Sequence, residues 1–224
     1  MPHYKTKIKQ KMKIIIYTLA SLLFFLSSCV STAKDSEEKN TTAQTFTKDD
    51  FEEFNVVDDF DENPFDWFKG QGLLLAVGTP EHNNAMTIGW GSLGNVWGKI
   101  GASTVTVYVA EARYTFEFME KYNYFTVMAF EKKDYEILRY MGSHSGRDGN
   151  KAEHLGLHTL YTENGTPYYA EASIVLECQT IYRAPFEKEG MCQAAQEFYD
   201  NFNAGIHHIY IGNVVKALKR KADD

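Results

Sequence analysis

The chain has 224 residues, 44% of them hydrophobic, and a formal net charge of −7 at pH 7. This length and apolar content are sufficient for one substantial core and indicate one domain, or at most two. The acidic balance argues against nucleic-acid binding, because proteins of that class neutralise phosphates with clustered lysine and arginine. The chain has no Cys-x-x-Cys pair and no histidine-rich ligand spacing, so the sequence predicts no metal site.

The first 28 residues have the features of an export signal. Five lysines among residues 5–13 form a basic region, and the apolar segment 14–26 is shorter than the roughly 20 residues of a spanning helix. The next residues, Leu26-Ser27-Ser28-Cys29, resemble the lipobox of bacterial lipoproteins. That resemblance implies diacylation of Cys29 and a lipid anchor on the periplasmic or cell-surface side of a bacterial membrane. A plain secretory signal cut near Ser28 and a retained membrane anchor are the alternatives.

An acidic segment follows the signal. Cleavage before Cys29 would remove five lysines and no acidic residue, which takes the formal charge from −7 to −12. Residues 35–62 contain eleven acidic residues and two lysines. Few apolar side chains and excess charge cannot offset the entropy lost on ordering, so we predict a flexible tether at 29–62, with a short helix possible at 49–54. The folded domain is then 63–215, followed by a charged tail at 216–224.

Hydrophobic periodicity and turn residues give the elements of the folded part. A short amphipathic turn is predicted at 63–70, where Pro64 sets its start. Helices are predicted at 115–122, 134–141 and 191–203. Strands are predicted at 73–78, 84–90, 102–109, 124–130, 157–163, 166–172, 174–182 and 206–215. Asn164-Gly165 predicts a type I′ hairpin turn with positive φ at both residues, so the second half is read as an antiparallel meander.

The stretch from 83 to 115 predicts a cofactor site. Two extended segments, 84–90 and 102–109, flank a bend with five glycines, whose backbone can approach a flat ligand closely. Arg113 and Thr115 follow, a guanidinium and a hydroxyl that together suit a phosphate. These residues therefore predict a phosphorylated planar cofactor.

The segment from Gly89 to Gly94 also satisfies the G-x-G-x-x-G pattern of dinucleotide-binding units. That pattern requires a helix directly after the glycines, so that its amino terminus faces the pyrophosphate. The segment that follows, 102–109, is instead rich in the β-branched residues of a strand. The pattern therefore does not predict a Rossmann fold.

A polar loop at 142–151 follows the helix predicted at 134–141. Its backbone N–H groups can form an anion-binding nest, to which four side chains could add donors: Ser143, Ser145, Arg147 and Lys151. A solvated surface loop is the alternative interpretation.

Taken in order, these blocks resemble the flavin reductase-like family, FMN-binding proteins built on a split barrel. The resemblance spans about residues 63–215. It rests on Glu62-Asn63-Pro64-Phe65, Asn84-x-Met86-Thr87-x-x-Trp90-Gly91-x-Leu93-Gly94, Arg113-Tyr114-Thr115, Gly142-Ser143-x-Ser145-Gly146-Arg147-Asp148-x-x-Lys151 and a histidine five residues before Gly212. It implies a mainly β fold, a six-stranded antiparallel Greek-key barrel with short flanking helices, and a homodimer with one FMN per subunit near its interface.

The resemblance also implies roles for individual residues. The strand residues Asn84, Met86, Thr87, Ile88, Gly89 and Trp90 would meet the isoalloxazine ring of FMN, with FAD the less favoured cofactor. Arg113, Thr115 and the four polar residues of the 142–151 loop would hold the phosphate. The late histidine corresponds to His207, which we predict to be catalytic, because a histidine can stabilise the charge of a reduced flavin. His208 is adjacent, and successive strand residues face opposite sides, so only one of the two can meet the flavin. A pair of ordinary half-exposed strand histidines is the alternative.

Three functions remain open from the sequence. The first is an oxidoreductase in which a hydride passes from NAD(P)H to the flavin and electrons pass on to an acceptor. An exported protein would meet little NAD(P)H, so the second is a membrane-tethered flavin electron carrier without a nicotinamide site. The third is a binding module that keeps the fold but has no redox activity. Cys178 and Cys192 could form a disulfide or remain separate thiols.

Overall fold

The computed structural model describes residues 46–70 and 72–222. The predicted signal peptide, Cys29 and the first part of the tether lie outside these residues. No helix within the described part of the chain combines the length and apolar character needed to cross a membrane.

The described residues form five α-helices: α1 Pro64–Lys69, α2 Tyr114–Lys121, α3 Tyr135–Ser143, α4 Lys151–His154 and α5 Gln193–Asp200. The first begins where the Asn63 side chain accepts the Phe65 N–H at 3.1 Å and Pro64 occupies the first helical position. The Asn150 side chain caps α4 in the same way. The helices predicted at 115–122, 134–141 and 191–203 are confirmed as α2, α3 and α5.

Ten strands are present in the same residues: β1 Phe51–Glu53, β2 Leu73–Gly78, β3 Asn83–Ile88, β4 Gly91–Val96, β5 Gly101–Ala110, β6 Tyr124–Ala129, β7 Thr159–Tyr161, β8 Pro167–Tyr169, β9 Ile174–Pro185 and β10 His207–Arg220. Strands β7 and β8 form a separate hairpin, and the other eight form one antiparallel sheet. The predicted class, mainly antiparallel β with short flanking helices, is confirmed. The main sheet has eight strands, however, where six were predicted.

The order of strands forces this sheet to curl. Its path runs β3-β2-β6-β9-β10-β5-β4, so β3 and β4 are at opposite ends. In a flat sheet these ends would be six spacings of about 4.8 Å apart, or about 29 Å. Only Gly89 and Trp90 connect β3 to β4, and three Cα–Cα steps span at most about 11 Å. The two ends must therefore approach each other, which gives a barrel that is open along this side.

Apolar side chains cover both faces of the sheet. Strand β2 is buried along its whole length, and alternate residues join different clusters. Leu73, Leu75 and Val77 pack with one cluster, and Leu74 and Ala76 pack with a second that includes residues of α3 and β8. Burial on both faces explains why β2 is continuously apolar in sequence.

The predicted boundaries at both ends of the domain are wrong. Strand β1, inside the predicted tether, pairs with the end of β10, with Phe51 opposite Arg220 and Glu53 opposite Leu218. The predicted 216–224 tail is therefore largely strand, and only a 3₁₀ turn, Lys48–Asp50, occurs where a helix was considered possible. The pairing is stabilised by burial of Phe51 and by the proximity of Lys216 Nζ to Glu53, at 3.9 Å.

Two predictions about turns also need correction. The glycine-rich bend contains a strand of its own, β4, which pairs with β5 and turns through Trp97 and Gly98, both with positive φ. Strands β3 and β5 are consequently not neighbours in the sheet. In the β7–β8 hairpin only Gly165 has positive φ, and its N–H donates to the Thr162 carbonyl at 3.1 Å. The side chain of Asn164 instead donates to Glu177 at 3.2 Å, so the turn is not type I′.

The docking of β1 generates a stability prediction. Phe51 is 7% exposed and meets the Tyr168 ring edge-on with centroids 5.5 Å apart, whereas Phe65 is 85% exposed. We expect Phe51→Ala to lower the free energy of unfolding by about 3 kcal/mol, because it removes a buried aromatic side chain. Phe65→Ala is the matched control and is expected to change it by less than about 0.5 kcal/mol. Urea unfolding of the full chain measures both values, and equal effects would contradict the docking of β1.

Candidate functional site

A cleft of about 460 Å³ lies beside the link between β3 and β4, within the range of about 300–1,000 Å³ typical of small-molecule sites. It is bounded by β3, the turn that leads into α2, the loop after α3 and the start of β10. Every residue predicted to bind the cofactor or act on it lines this cleft: Asn84, Met86, Thr87, Ile88, Gly89, Trp90, Arg113, Thr115, Ser143, Ser145, Arg147, Lys151 and His207. The structure therefore brings four separate parts of the sequence to one place.

Part of the lining of the cleft is a cluster of aromatic rings around His207. The His207 ring lies between Trp90, at a centroid distance of 4.5 Å, and Phe202, at 5.2 Å. Its Nδ1 is 3.0 Å from the Tyr199 hydroxyl. Trp90 therefore belongs to the cleft, whereas Trp97 lies at the exposed β4–β5 turn against Tyr182.

The imidazole of His207 is held in its neutral form. Burial is the main cause, and the positive charge of Arg113 adds to it, so that the pKa of His207 is lowered to about 4. Burial also raises the pKa of Tyr199, so at neutral pH its hydroxyl keeps its proton and can hydrogen-bond to the ring. A neutral imidazole with one nitrogen occupied can offer the other to a ligand in the cleft.

His208 faces the other side of β10, as expected for successive strand residues. Its Nε2 is 3.3 Å from Glu111 Oε1, and its ring meets Phe116 edge-on at 4.7 Å. Among the two histidines, only His207 therefore lines the cleft.

The lining of the cleft also contains a cation, Arg113. Arg113 directly precedes α2 and is exposed, and its guanidinium makes no hydrogen bond or ion pair with any described residue. Thr115, two residues on, is only 1% exposed, and its hydroxyl accepts a hydrogen bond from Asn84 Nδ2 at 2.8 Å. Arg113 is thus the cation available to an anion, while Thr115 positions Asn84.

The other two cations of the predicted phosphate site have partners within the protein. Arg147 forms an ion pair with Glu117, donates to the Ala112 carbonyl at 3.2 Å and lies over the Tyr114 ring. Lys151 is buried and donates to the carbonyls of Met141 at 2.8 Å and His144 at 3.0 Å. Burial lowers its pKa to about 8. Both residues therefore hold the loop in place, and their direct contact with a phosphate remains a prediction.

The loop approaches β3 closely at Gly146. A Cβ at this position would lie 2.0 Å from Asn84 Oδ1 and 3.0 Å from the Tyr114 ring. A residue with a side chain would therefore push the loop away from the cleft. In the same loop Ser143 Oγ is 3.0 Å from His144 Nδ1, and Ser145 Oγ accepts the Arg147 N–H at 3.2 Å.

Sequence reasoning did not assign Tyr108 and Phe202 to the cleft, although both line it. Tyr108 alternates along β5 with the buried Val107 and Val109, so it faces away from that core cluster. Phe202 continues the helical stripe of Ala195, Phe198 and Tyr199, a pattern that ordinarily indicates packing. The sequence signal that could have identified Tyr108 as a cleft residue was its position, as an aromatic residue between the valines of β5.

The two cysteines of the described residues do not line the cleft. Cys178 is buried, Cys192 is exposed, and both are free thiols. Residues 46–70 and 72–222 contain no group of three or more His, Cys, Asp or Glu arranged to hold a metal ion.

Comparison with known proteins identifies the family of most of the domain. The family model described as "Flavin reductase like domain" matches residues 71–224. The structure resembles an FMN-binding domain of a flavin reductases-like enzyme from Shewanella baltica, with 17% identity and a TM-score of 0.53 over 76% of this chain and 77% of that one. It also resembles an FMN-binding protein from Thermus thermophilus, with 16% identity and a TM-score of 0.53 over 70% and 76%.

A third similar structure is the flavoredoxin from Methanosarcina acetivorans, with 22% identity and a TM-score of 0.50 over 65% of this chain and 66% of that one. The match thus spans just under two thirds of that flavoredoxin. No curated protein matches the chain. At these identities the structural matches establish the fold, and the family model establishes the family.

The environment of His207 makes a prediction about its titration. We expect NMR titration of the protein without added ligand to give a pKa near 4 for His207, and Arg113→Gln to raise it. The unfolded chain takes up this proton near pH 6.5 and the folded site only near pH 4, so folding becomes less favourable as pH falls between these values. A His207 pKa at 6.5 or above would contradict the desolvated position.

Proposed function

The chain belongs to the flavin reductase-like family, and from that premise we propose that it is an FMN-binding oxidoreductase whose cofactor occupies the 460 Å³ cleft. The observation that carries the proposal is that the aromatic cluster at Trp90 and the cation Arg113, which has no partner among the described residues, line one cleft. A flat ring with an anionic tail needs both features. We propose FMN in preference to FAD.

The residues of the cleft fit this cofactor. The link of Gly89 and Trp90 exposes backbone beside an indole ring, which suits contact with the face and edge of a flat heterocycle. Arg113 has donors free for a phosphate, and a guanidinium can contact two phosphate oxygens at once. Neighbouring Lys151 adds positive potential while it fixes the loop, and Arg147, whose charge is balanced by Glu117, also fixes the loop.

His207 would act on the reduced state of the cofactor. When bound, FMN supplies the ring that accepts and donates electrons or hydride. The neutral imidazole of His207, fixed by Trp90, Phe202 and Tyr199, can donate a hydrogen bond to a ring atom that gains negative charge. We therefore propose His207 as the catalytic residue of the site.

The source of electrons separates two forms of this proposal. NAD(P)H as a transient donor would make the protein a flavin reductase in the usual sense of the family name. The basic and apolar segments at the start of the chain favour export, where NAD(P)H is scarce, and so favour a membrane-tethered carrier supplied by another donor.

The role of Arg113 is tested by comparing FMN with riboflavin, which lacks the phosphate. We expect Arg113→Ala to raise the Kd for FMN by roughly 10- to 100-fold, because charge-assisted hydrogen bonds contribute about 1.5–3 kcal/mol. The Kd for riboflavin should stay unchanged. Arg139→Ala, which removes an exposed arginine paired with Glu136, is the control. Equal loss of FMN and riboflavin binding would contradict a phosphate at Arg113, and failure of the unaltered protein to bind either flavin would refute the proposed function.

The donor is identified by anaerobic titration of the FMN-loaded protein. Loss of the visible flavin absorption on addition of NADH or NADPH would support nicotinamide-dependent reduction. Reduction by dithionite but by neither nicotinamide is the result expected of a tethered carrier. Protein that binds FMN but cannot be reduced and reoxidised would rule out both forms.

Location and assembly are also proposals. We propose that Cys29 carries a lipid anchor at a bacterial membrane. Measurement of the intact mass of the mature protein tests this, and a free Cys29 thiol would contradict it.

We further propose a homodimer, for which the exposed Trp97, Ile100 and Tyr182 offer an apolar surface. Sedimentation of the protein without its signal segment as a monomer at micromolar concentration would contradict the dimer.

A further inference from the structure

A second cavity, of about 540 Å³, adjoins the cleft. Three residues line both spaces: Gly89, Trp90 and Tyr108. The second cavity is completed mainly by Phe186, Met191 and residues of α5. A molecule in the second cavity and a molecule in the cleft would therefore contact the same short stretch of chain.

Helix α5 directs its apolar face into this cavity. Ala195, Phe198 and Tyr199 recur at helical spacing and line the cavity together. An amphipathic helix normally buries such a stripe, yet no residue of α5 is buried and Phe198 is 42% exposed. The stripe thus serves as the wall of an open space.

The side chains that line the second cavity determine which class of small molecule fits it. The lining has no charged side chain among the described residues, and its polar side-chain groups are the hydroxyls of Tyr108 and Tyr199 and the indole N–H of Trp90. Stacked rings of Tyr108 and Phe186, with centroids 5.4 Å apart, line it beside the pair of Trp90 and Phe198, at 5.7 Å. A dinucleotide would leave its pyrophosphate without a cation there, whereas a flat uncharged ring would meet aromatic surface throughout.

We propose that this cavity binds the electron acceptor, and that the acceptor is an uncharged planar ring of the quinone class. The proposal rests on the proposed function, because reduced FMN in the cleft is the electron source. Reduced FMN, when bound in the cleft, would supply a hydride equivalent and water would supply a proton, which together convert the quinone to the hydroquinone and leave the FMN oxidised. Tyr108 offers a hydroxyl donor to a quinone oxygen, whereas the Tyr199 hydroxyl is hydrogen-bonded to His207.

Calorimetric titration of the full-length, FMN-loaded protein with menadione and with an anionic naphthoquinone sulfonate tests the proposal. We expect saturable binding of menadione, with affinity for the sulfonate at least roughly tenfold weaker, since its charge would be buried without a partner. Equal affinity for the two compounds, or no saturable binding of menadione, would overturn the proposal.

Two variants of α5 locate the binding. Ala195→Trp fills the cavity and should weaken menadione binding by at least roughly tenfold, or about 1.4 kcal/mol. Ala194→Trp places the same ring at an exposed position outside the cavity lining and should leave binding unchanged. Phe198→Ala, which removes a wall instead of adding volume, should also weaken it and replaces Ala195→Trp if that variant does not fold. Unchanged affinity in a folded cavity variant would refute the assignment.

The same titration on protein without FMN distinguishes this proposal from the proposed function. Suppose that the protein never retains FMN, binds menadione, and loses that binding in Ala195→Trp. This result would support a ligand site in the second cavity and refute the assignment of FMN to the cleft. FMN retention without menadione binding would leave the flavin assignment standing and overturn the acceptor site. A second copy of the chain seated over α5 would also overturn it, and would appear as a dimer in sedimentation that Ala195→Trp dissociates.

Discussion

The link of two residues between β3 and β4 is the constraint on which the site depends. Strands β3 and β4 are the first and last strands of the seven-strand path, so a link of two residues between them requires the sheet to curl until its ends approach each other. The join is tight, since a Cβ on Gly91 would lie 2.1 Å from the Phe68 ring. The backbone of Gly89 and Trp90 crosses the open side of the barrel, and both cavities lie against it. The closure of the fold and the position of its site thus have one cause.

The three cations around the cleft differ in their interactions within the protein, and therefore in what they can bind. Glu117 neutralises Arg147, and two carbonyls occupy Lys151, which leaves Arg113 to an incoming anion. Arg113 is also one cause of the lowered pKa of His207. An anion bound at Arg113 would offset that charge and move the His207 pKa upward. Arg113 and His207 are therefore coupled, so that an anion at Arg113 changes the proton affinity of His207.

Local sequence signals predicted the parts of the fold that depend on local interactions. Periodicity identified α2, α3 and α5, and continuous apolar character identified β2, because each pattern arises within one element. The motif residues were placed together correctly because they occur in loops and strand ends on one side of the barrel. The pairing of β1 with the end of β10 could not be predicted, since three residues with two acidic side chains carry no local strand signal. Strand β4 was read as a bend because its glycines gain their strand geometry only from pairing with β5.

The apolar stripe of α5 illustrates a different limit of sequence analysis. Spacing shows that Ala195, Phe198 and Tyr199 share a face, but it cannot show whether that face meets protein, solvent or a ligand. In the structure the face borders a cavity that shares Trp90 and Tyr108 with the cleft. The same face would therefore have been interpreted as core packing from its spacing alone, because the residues that complete the cavity, Phe186 and Met191, precede the helix and have no periodic relation to it. The wall of the cavity is formed by three separate parts of the chain, and only the folded structure shows that they meet beside the link between β3 and β4.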